Sequence, residues 1–498
     1  MALRRWWDTL MDIGPKYGYY PKPEKTVLVV KEQYLAEANR LFENSRVQLT
    51  TEGHRHLGAV IGIDAFRDQY VGEKIQKWVD DIKQLSEIAT EEPQIAYAAF
   101  TKGICHRWSF IQRTVPSIAP LFSPLEDCIA DVFIPAVIGR KLSPCERQIV
   151  SLPVRYGGLG LANPMDRCEQ EYQSSVKVTS ELSKLIFDQQ QDLNMFNSSA
   201  QLLVIKELKV GKESYHKEKC DTIMSQLDAI NQEMHRCIKL NQEKGSGCWL
   251  SVLPLKDHGY SLNKQEFRDA LCLRYGWSIS GMPHFCGCGQ KNNIDHTLIC
   301  KKGGYVAMRH NNLRDLNITM QKEVCRDVVS EPSLLPITDQ EIEGTSADRA
   351  APDISSRGLW STFECTFFDV RVLHPNAPSY RSSDLTSLYR NHEKEKMRKY
   401  NSRIITVERG SFSPLVYTTF GGMGPQATRY HKRLAGLIAT KRDEDYTHVI
   451  SHMRTRIRFS VLRSVLIAIR GERGKKSPSS KPFSSTSFNL IPSVPDHD

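Results

Sequence analysis

The chain has 498 residues, 40% hydrophobic and 25% charged, values that exclude wholesale disorder and fibrous architectures and call for roughly three domains. Lys and Arg outnumber Asp and Glu by 67 to 57, and the net charge of +10 points toward a polyanionic partner such as nucleic acid. No apolar run is long enough to span a membrane, the N-terminal stretch MALRRWWDTLMDIG lacks the apolar core of a signal peptide, and thirteen scattered cysteines suit a reducing compartment, nucleus or cytoplasm, rather than a disulfide-built secreted protein.

Residues 1–12 read as a helix, 14–23 as a Gly/Pro-rich loop, 26–30 (TVLVV) and 57–63 (LGAVIGI) as short strands, and 33–44 as a helix between them. From 64 to about 114 the pattern is amphipathic helix, with breaks near Pro93 and Pro116. The stretch LPVRYGGLGLANP (152–164) is turn-like, and 166–245 is a long, polar helical connector. Residues 311–330 read as helical, 332–349 as an acidic loop, 354–373 as two strands, 383–401 as a helix and 402–417 as strand. A glycine-rich turn, GGMGP (421–425), then precedes a basic helical stretch. Residues 453–476 carry eight Lys/Arg against one acid, Glu472. Ile457, Val461, Val465 and Ile469 recur there every four residues, as on one face of a helix, with Arg454, Arg458 and Arg470 flanking it. Those arginines are either solvated or contacts to nucleic-acid phosphates. The Ser/Pro-rich stretch 471–498 reads as a disordered tail whose basic start resembles a nuclear address.

Two constellations carry chemistry. In FCGCGQKNNIDHTLICKK (285–302), Cys286, Cys288, His296 and Cys300 form a three-thiolate, one-imidazole set suited to structural zinc. Gly287 and Gly289 permit a tight knuckle, His296 and Cys300 are one helical turn apart, and His284 is a substitute ligand. The first pair is separated by a single residue, and the alternative is a reduced, metal-free turn.

The second constellation is acidic. Asp353 opens one strand, and the next carries Glu364 and Asp369. Carboxylates on adjacent strands offer hard oxygen ligands to a divalent cation, which polarises a phosphodiester and activates water. Strand parity places Asp369 and Arg371 on one face and Glu364 on the other, making Asp369 the partner of Asp353 and Glu364 the reserve if a bulge intervenes. Arg371 can hold phosphate but is a poor proton-transfer group. On the following helix, His392, Lys396 and Lys399 share a face, and either lysine could serve a scissile phosphate.

In order and spacing these pieces resemble the C-terminal part of reverse transcriptase proteins from non-long-terminal-repeat retrotransposons that carry a restriction-like, PD-(D/E)xK-type endonuclease. The matching elements span about 115 residues: the knuckle; the tripeptide Arg309, His310, Asn311; Pro352 and Asp353; Asp369 after fifteen intervening residues; and His392, Lys396, Lys399 and Tyr400. Upstream, GYYPKPEKTVLVV and GHRHLGAVIG resemble the end of a polymerase palm, and LPVRYGGLGLANP the end of a thumb.

The resemblance implies a mixed α/β, multi-domain chain with a mostly helical N-terminal half and a restriction-endonuclease-like α/β C-terminal domain. Its segments would be a truncated palm remnant (1–65), a thumb-like region (66–165), a helical connector (166–280), the knuckle (281–305), the endonuclease (306–470) and the tail (471–498). It implies a DNA endonuclease that nicks target DNA for target-primed reverse transcription. Asp353 and Asp369 would bind Mg²⁺ or Mn²⁺, with Lys396, Lys399 or Glu364 assisting, and Cys286, Cys288, His296 and Cys300 would bind Zn²⁺. Arg309, His310, Asn311, Arg371, His392, Arg454 and Arg458 would contact DNA. Glu323 is a speculative third acid. DNA and the element's RNA are the implied partners, a homodimer would cut both strands, no membrane is involved, and the nucleus is the favoured location. Polymerase activity is not expected, because the palm aspartates would precede Met1; the WVDD at 78–81 sits mid-helix and is set aside. The alternative functions are a non-catalytic nucleic-acid-binding module and an inactive relic.

Overall fold

The computed structural model describes residues 1–188, 198–335 and 351–473. Most of the acidic loop expected at 332–349, and the tail from 474 onward, lie outside the described residues. The architecture is mixed α/β, dominated by helices with small sheets. Two compact units divide the chain: one comprises Met1–Glu91, Ala99–Arg147 and Leu161–His216, the other Glu92–Ala98, Gln148–Gly160 and the chain from Lys217 onward. The expected connector at 166–280 is therefore shared between the two. Among the described residues no helix is long and apolar enough to cross a membrane.

In the first unit, strands Val27–Val29 and Gln48–Thr50 pair in parallel, joined by the helix Leu35–Phe42, over a small core of Trp7, Phe42 and Val47. Gly53–His56 and Ala59–Gly62 form a hairpin. Its turn residues Leu57 and Gly58 both have positive φ (48° and 88°), the twist-matching geometry of a two-residue hairpin loop. The helix Asp64–Glu91 buries Val71, Ile75, Trp78, Ile82, Leu85 and Ala89 at three- and four-residue spacing. Trp78 stacks on Phe122, and Asp81 pairs with Arg107, so the WVDD stretch serves helix packing.

The second unit holds a four-stranded sheet: β1 (Arg326–Ser330), β2 (Ile354–Arg357), β3 (Cys365–Leu373) and β4 (Ser411–Thr418), in that order across the sheet. The first two pairings are antiparallel and the third is parallel. A parallel pair needs a crossover, which here contains helix Leu385–Arg403. The helices of this unit around the site are α1 (Lys264–Tyr275), α2 (Ile294–Ile299), α3 (Tyr305–Gln321), α4 (Leu385–Arg403), α5 (Pro425–Arg442) and α6 (Tyr446–Arg470). Alternation along β3 sends Phe367 and Leu373 into clusters with α4 residues Tyr400 and Tyr389. Phe368, of opposite parity, packs edge-on against Tyr430 of α5. Pro414 is tolerated in β4 because that strand pairs on one side only.

Three expectations need correction. Residues 402–417 are not all strand: α4 runs to Arg403, helical turns continue over Ile404–Glu408, and only Ser411–Thr418 forms β4. Residues 326–330 form strand β1, not the end of a helix: α3 stops at Gln321, and the β-branched Val328 and Val329 follow in extended chain paired with β2. The amphipathic basic helix also differs. Ile457, Val461, Val465 and Ile469 are buried as expected, but so are Met453, Phe459, Leu462 and Leu466 on its other sides. Its arginines turn inward. Arg463 donates to the carbonyls of Gly259 and Ser261 at 2.8 Å, and Arg470 forms a two-pronged pair with Asp269 at 2.6 and 2.7 Å. Their aliphatic stems add apolar surface while their head groups satisfy carbonyls and a carboxylate.

Leu462 is fully buried in α6. Leu462→Ala is expected to lower unfolding free energy by about 2–5 kcal/mol, read from the urea midpoint by far-UV circular dichroism of the full chain.

Candidate metal centre and carboxylate site

The knuckle is a short hairpin closed by a Phe285–Lys291 bridge, with Gln290 O accepting from Cys286 N and Cys286 O from Gly289 N. Gly289 takes φ +90°, and Gly287 lies against the Arg473 backbone, where a side chain would clash. The Asn293 side chain caps α2 by accepting from His296 N at 2.7 Å, which fixes His296 in the first turn and Cys300 just past the last. The potential ligand atoms of Cys286, Cys288, His296 and Cys300 all lie within 4.8 Å of one another. Cys286 Sγ is 3.8 Å from Cys300 Sγ, and Cys288 Sγ is 3.3 Å from His296 Nε2. A tetrahedron with Zn–S bonds of about 2.3 Å has sulfur–sulfur edges of about 3.8 Å, so four soft donors stand at the spacing such an ion requires. The single-residue gap between Cys286 and Cys288 therefore does not prevent closure. Closure is on His296; His284 contributes its carbonyl to the Asn292 N–H. The Gln290 backbone N–H, with help from the neighbouring thiols, holds Cys288 below its ordinary pKa and favours the thiolate, while burial pushes Cys300 up. A bound divalent cation would offset that second effect.

The knuckle is tied down at several points. Asp295 pairs with His374 at 2.9 Å and Arg381 at 2.6 Å, and His374 contacts the Thr419 hydroxyl at 2.8 Å. Arg309 donates from both Nη atoms to Leu298 O at 3.2 Å, and Arg473 donates to Thr297 O at 3.1 Å. These guanidinium groups satisfy carbonyls at the end of α2 that the helix itself leaves unpaired.

The carboxylates meet across the β2–β3 hairpin. The register pairs Ile354 with Phe368; continued by one residue, it sets Asp353 across from Asp369. Asp353 is fixed on all sides. Its N–H donates to Phe368 O and its carbonyl accepts from Glu331 N, both at 2.9 Å. Oδ2 accepts from Val370 N at 2.6 Å, and Oδ1 lies 3.0 Å from His310 Nε2 on α3. Asp369 is 4% exposed, and Lys396 Nζ of α4 lies 2.8 Å from its Oδ2. Burial holds the Asp369 carboxyl above its ordinary value; Lys396 pulls it back and the Asp353 charge pushes it further up. The two carboxylates offer hard oxygen donors of the kind a divalent cation takes.

The structure brings Asp353, Asp369, His310 and Lys396 together, and Arg371, half-buried, follows two residues along β3. Lys399 is instead exposed, its ammonium 4.7 Å from the Tyr400 ring centroid. Glu364 precedes β3, where its carbonyl accepts from Gly358 N. Five residues from Asp369, it stands roughly 16 Å down the hairpin and cannot join the pair. Glu323 is engaged by Arg442. Arg309, at 2% exposure, is a knuckle staple rather than a DNA contact, and Asn311 next to it is exposed. His392 is buried edge-on against Tyr380 at 5.3 Å, and burial holds its pKa low, which removes it from an outward, charged DNA contact. Arg458 is enclosed in the core of the unit, and Arg454 is half-buried beside His431. Arg314, unforeseen from sequence, is paired with Glu331 and Asp315 and lies close enough to Asp353 to feel its charge. Neither the Arg314–Glu331 pair nor the Asp295–His374 pair has a spacing signal, since each joins different elements.

Protein purified without chelator is expected to carry one zinc per chain by elemental analysis, and Cys300→Ser to lose most of it. A second expectation concerns pH. A carboxyl whose folded pKa is raised makes stability fall as pH rises through that folded value. Lys396→Met removes the partner that opposes this and widens the window. The variant is therefore expected to lose about 3 kcal/mol near neutral pH, with the loss fading in acid as Asp369 is protonated in both folded and unfolded chains; denaturant titrations across pH read it.

No protein-family model matches the chain, and no curated protein matches it.

Proposed function

We propose that the second unit is a metal-dependent DNA endonuclease of the kind carried by non-long-terminal-repeat retrotransposon reverse transcriptases, nicking target DNA to prime reverse transcription. The observation that carries this reading is the Asp353–Asp369 pair, set across one hairpin with Lys396 at 2.8 Å from Asp369. Asp353 and Asp369 would hold Mg²⁺ or Mn²⁺, which supplies charge neutralisation at the phosphodiester and an activated water. The protein's part is orientation. Val370 N–H and His310 fix the Asp353 carboxylate, and Lys396 opposes the effect of burial on the Asp369 carboxyl. Arg371 sits on the Asp369 side of β3, where a guanidinium can grip a phosphate oxygen. Lys396, not Lys399, is the lysine of this site. Residues 1–65 and 66–165 are read as palm and thumb parts of the same protein type. Target DNA and the element's RNA are the partners, two copies serve the two strands, and the nucleus is the place of action.

A second reading, a nucleic-acid-binding module without cleavage, draws on one observation. Both Asp353 oxygens already accept hydrogen bonds, and Lys396 already occupies Asp369, so a cation must compete for the pair.

In a supercoiled-plasmid assay with Mg²⁺ or Mn²⁺, the protein is expected to produce nicked circles. Asp353→Ala, Asp369→Ala and Lys396→Ala are each expected to slow nicking by about a hundredfold or more, while Lys399→Ala stays within a few-fold. Binding without nicking in a folded, zinc-loaded sample would select the second reading; equal nicking by all variants would displace the site.

A further inference from the structure

Beside the carboxylates lies a cleft of about 870 Å³. One wall is the end of α2, another the first turns of α3, and the third the end of β3 with the loop after it. The cleft belongs wholly to the second unit. Much of its lining is apolar: Ile299, Val306, Val372 and Pro378 come from the three walls. Polar groups are confined to particular places. His310, which holds Asp353, lines the cleft, as does Arg371, two residues from Asp369 on the same face of β3. Lys301 lines it from the knuckle side. Among the described residues no carboxylate lines the cleft, and neither Lys301 nor Arg371 takes part in an ion pair. Tyr380 adds an aromatic ring, held edge-on by His392 at 5.3 Å.

A closed duplex offers a protein its charged backbone and groove edges, with the base faces stacked away. Such a ligand is met by a broad cationic surface. This cleft has the opposite make-up: a largely apolar lining of small-molecule size, one aromatic ring, and two cations outside ion pairs, besides the buried Arg309, with no acid between them. That combination matches a single nucleotide, whose base has apolar faces to bury and whose phosphates need cations. We propose that the cleft receives a base unstacked from its neighbours, with flanking phosphates at Arg371 and Lys301, so that the site takes single-stranded or frayed nucleic acid in preference to closed duplex. The proposal rests on the phosphodiester-cleaving reading for its purpose, but the binding itself needs no cleavage. It makes the knuckle a wall of the substrate site, and it gives the unpaired Arg371 and Lys301 a common ligand.

The test uses the full chain in Ca²⁺, which supports binding without turnover, and follows the anisotropy of a labelled short oligo(dT) and of a blunt duplex of the same length. The oligo(dT) is expected to bind about tenfold more tightly than the duplex. Ala307→Trp fills the cleft from α3 and Pro378→Trp fills it from the opposite wall. Each is expected to weaken oligo(dT) binding by about tenfold and to leave duplex binding within twofold. Circular dichroism and zinc content show whether each variant is folded. Equal affinity for the two probes, or unchanged oligo(dT) affinity in both folded variants, would overturn the proposal. The plasmid assay separates the two readings: oligo(dT) binding that responds to the variants, without nicking, sinks only the endonuclease, whereas nicking by a protein indifferent to both tryptophans sinks only the cleft.

Discussion

Everything at the carboxylate site depends on one register. Because Ile354 stands opposite Phe368, two acids distant in sequence are held side by side on neighbouring strands, in the arrangement that electrostatics least favours. The fold sustains this by surrounding the pair with fixed donors. A β3 backbone N–H and His310 take the Asp353 oxygens, and an ammonium from the crossover helix meets Asp369. Strain of this electrostatic kind persists only where neighbouring structure over-determines it. Here the over-determination comes from four elements at once: α3, β2, β3 and α4.

The knuckle is part of the same construction. Its short helix is gripped at one side by His374 and Arg381, from the loop that follows β3, and at its carbonyl end by Arg309 of α3. The residue after Arg309 is His310, so one turn of α3 reaches the Leu298 carbonyl of the knuckle helix with one side chain and Asp353 with the next. Metal binding and folding are coupled wherever the ligands are assembled only in the folded state. Adjacent residues of α3 thus contact both the knuckle helix and Asp353.

Much of this was legible in the sequence, for identifiable reasons. Soft donors clustered within fifteen residues need only local chain to meet, and Cys286, Cys288, His296 and Cys300 do meet. Parity along a strand is rigid, so Asp369 could be chosen over Glu364 without coordinates. Helical spacing was less decisive. Lys396 and Lys399 are three residues apart, a difference in direction of about 60°, and that is enough to put one on Asp369 and the other outside on Tyr400. The arginines were misread most consistently. Arg309, Arg458 and Arg470 have the composition of a basic surface, yet Arg309 and Arg458 are buried, and Arg309 and Arg470 are bonded to a carbonyl and a carboxylate. A sequence shows how many cations a helix carries but not which distant carbonyls await them. For the same reason the net positive charge overstated how much basic surface is free for a polyanion.

The two margins of the sheet carry a consequence for assembly. At one margin β1 is short and exposed, and its pairing with β2 slips between Arg326 and Val329, where Asp327 adopts a positive φ of 49°. At the other, β4 is buried along nearly its whole length and contains Pro414, which has no N–H to offer. Neither margin presents a long, regular ladder of free donors and acceptors, the feature through which sheets join edge to edge. On the proposed endonuclease reading, two copies at one DNA site would thus not share a continuous sheet. Their spacing and relative orientation would be set by helical faces or by the nucleic acid itself, which would make the geometry of a double cut a property of the substrate as much as of the protein.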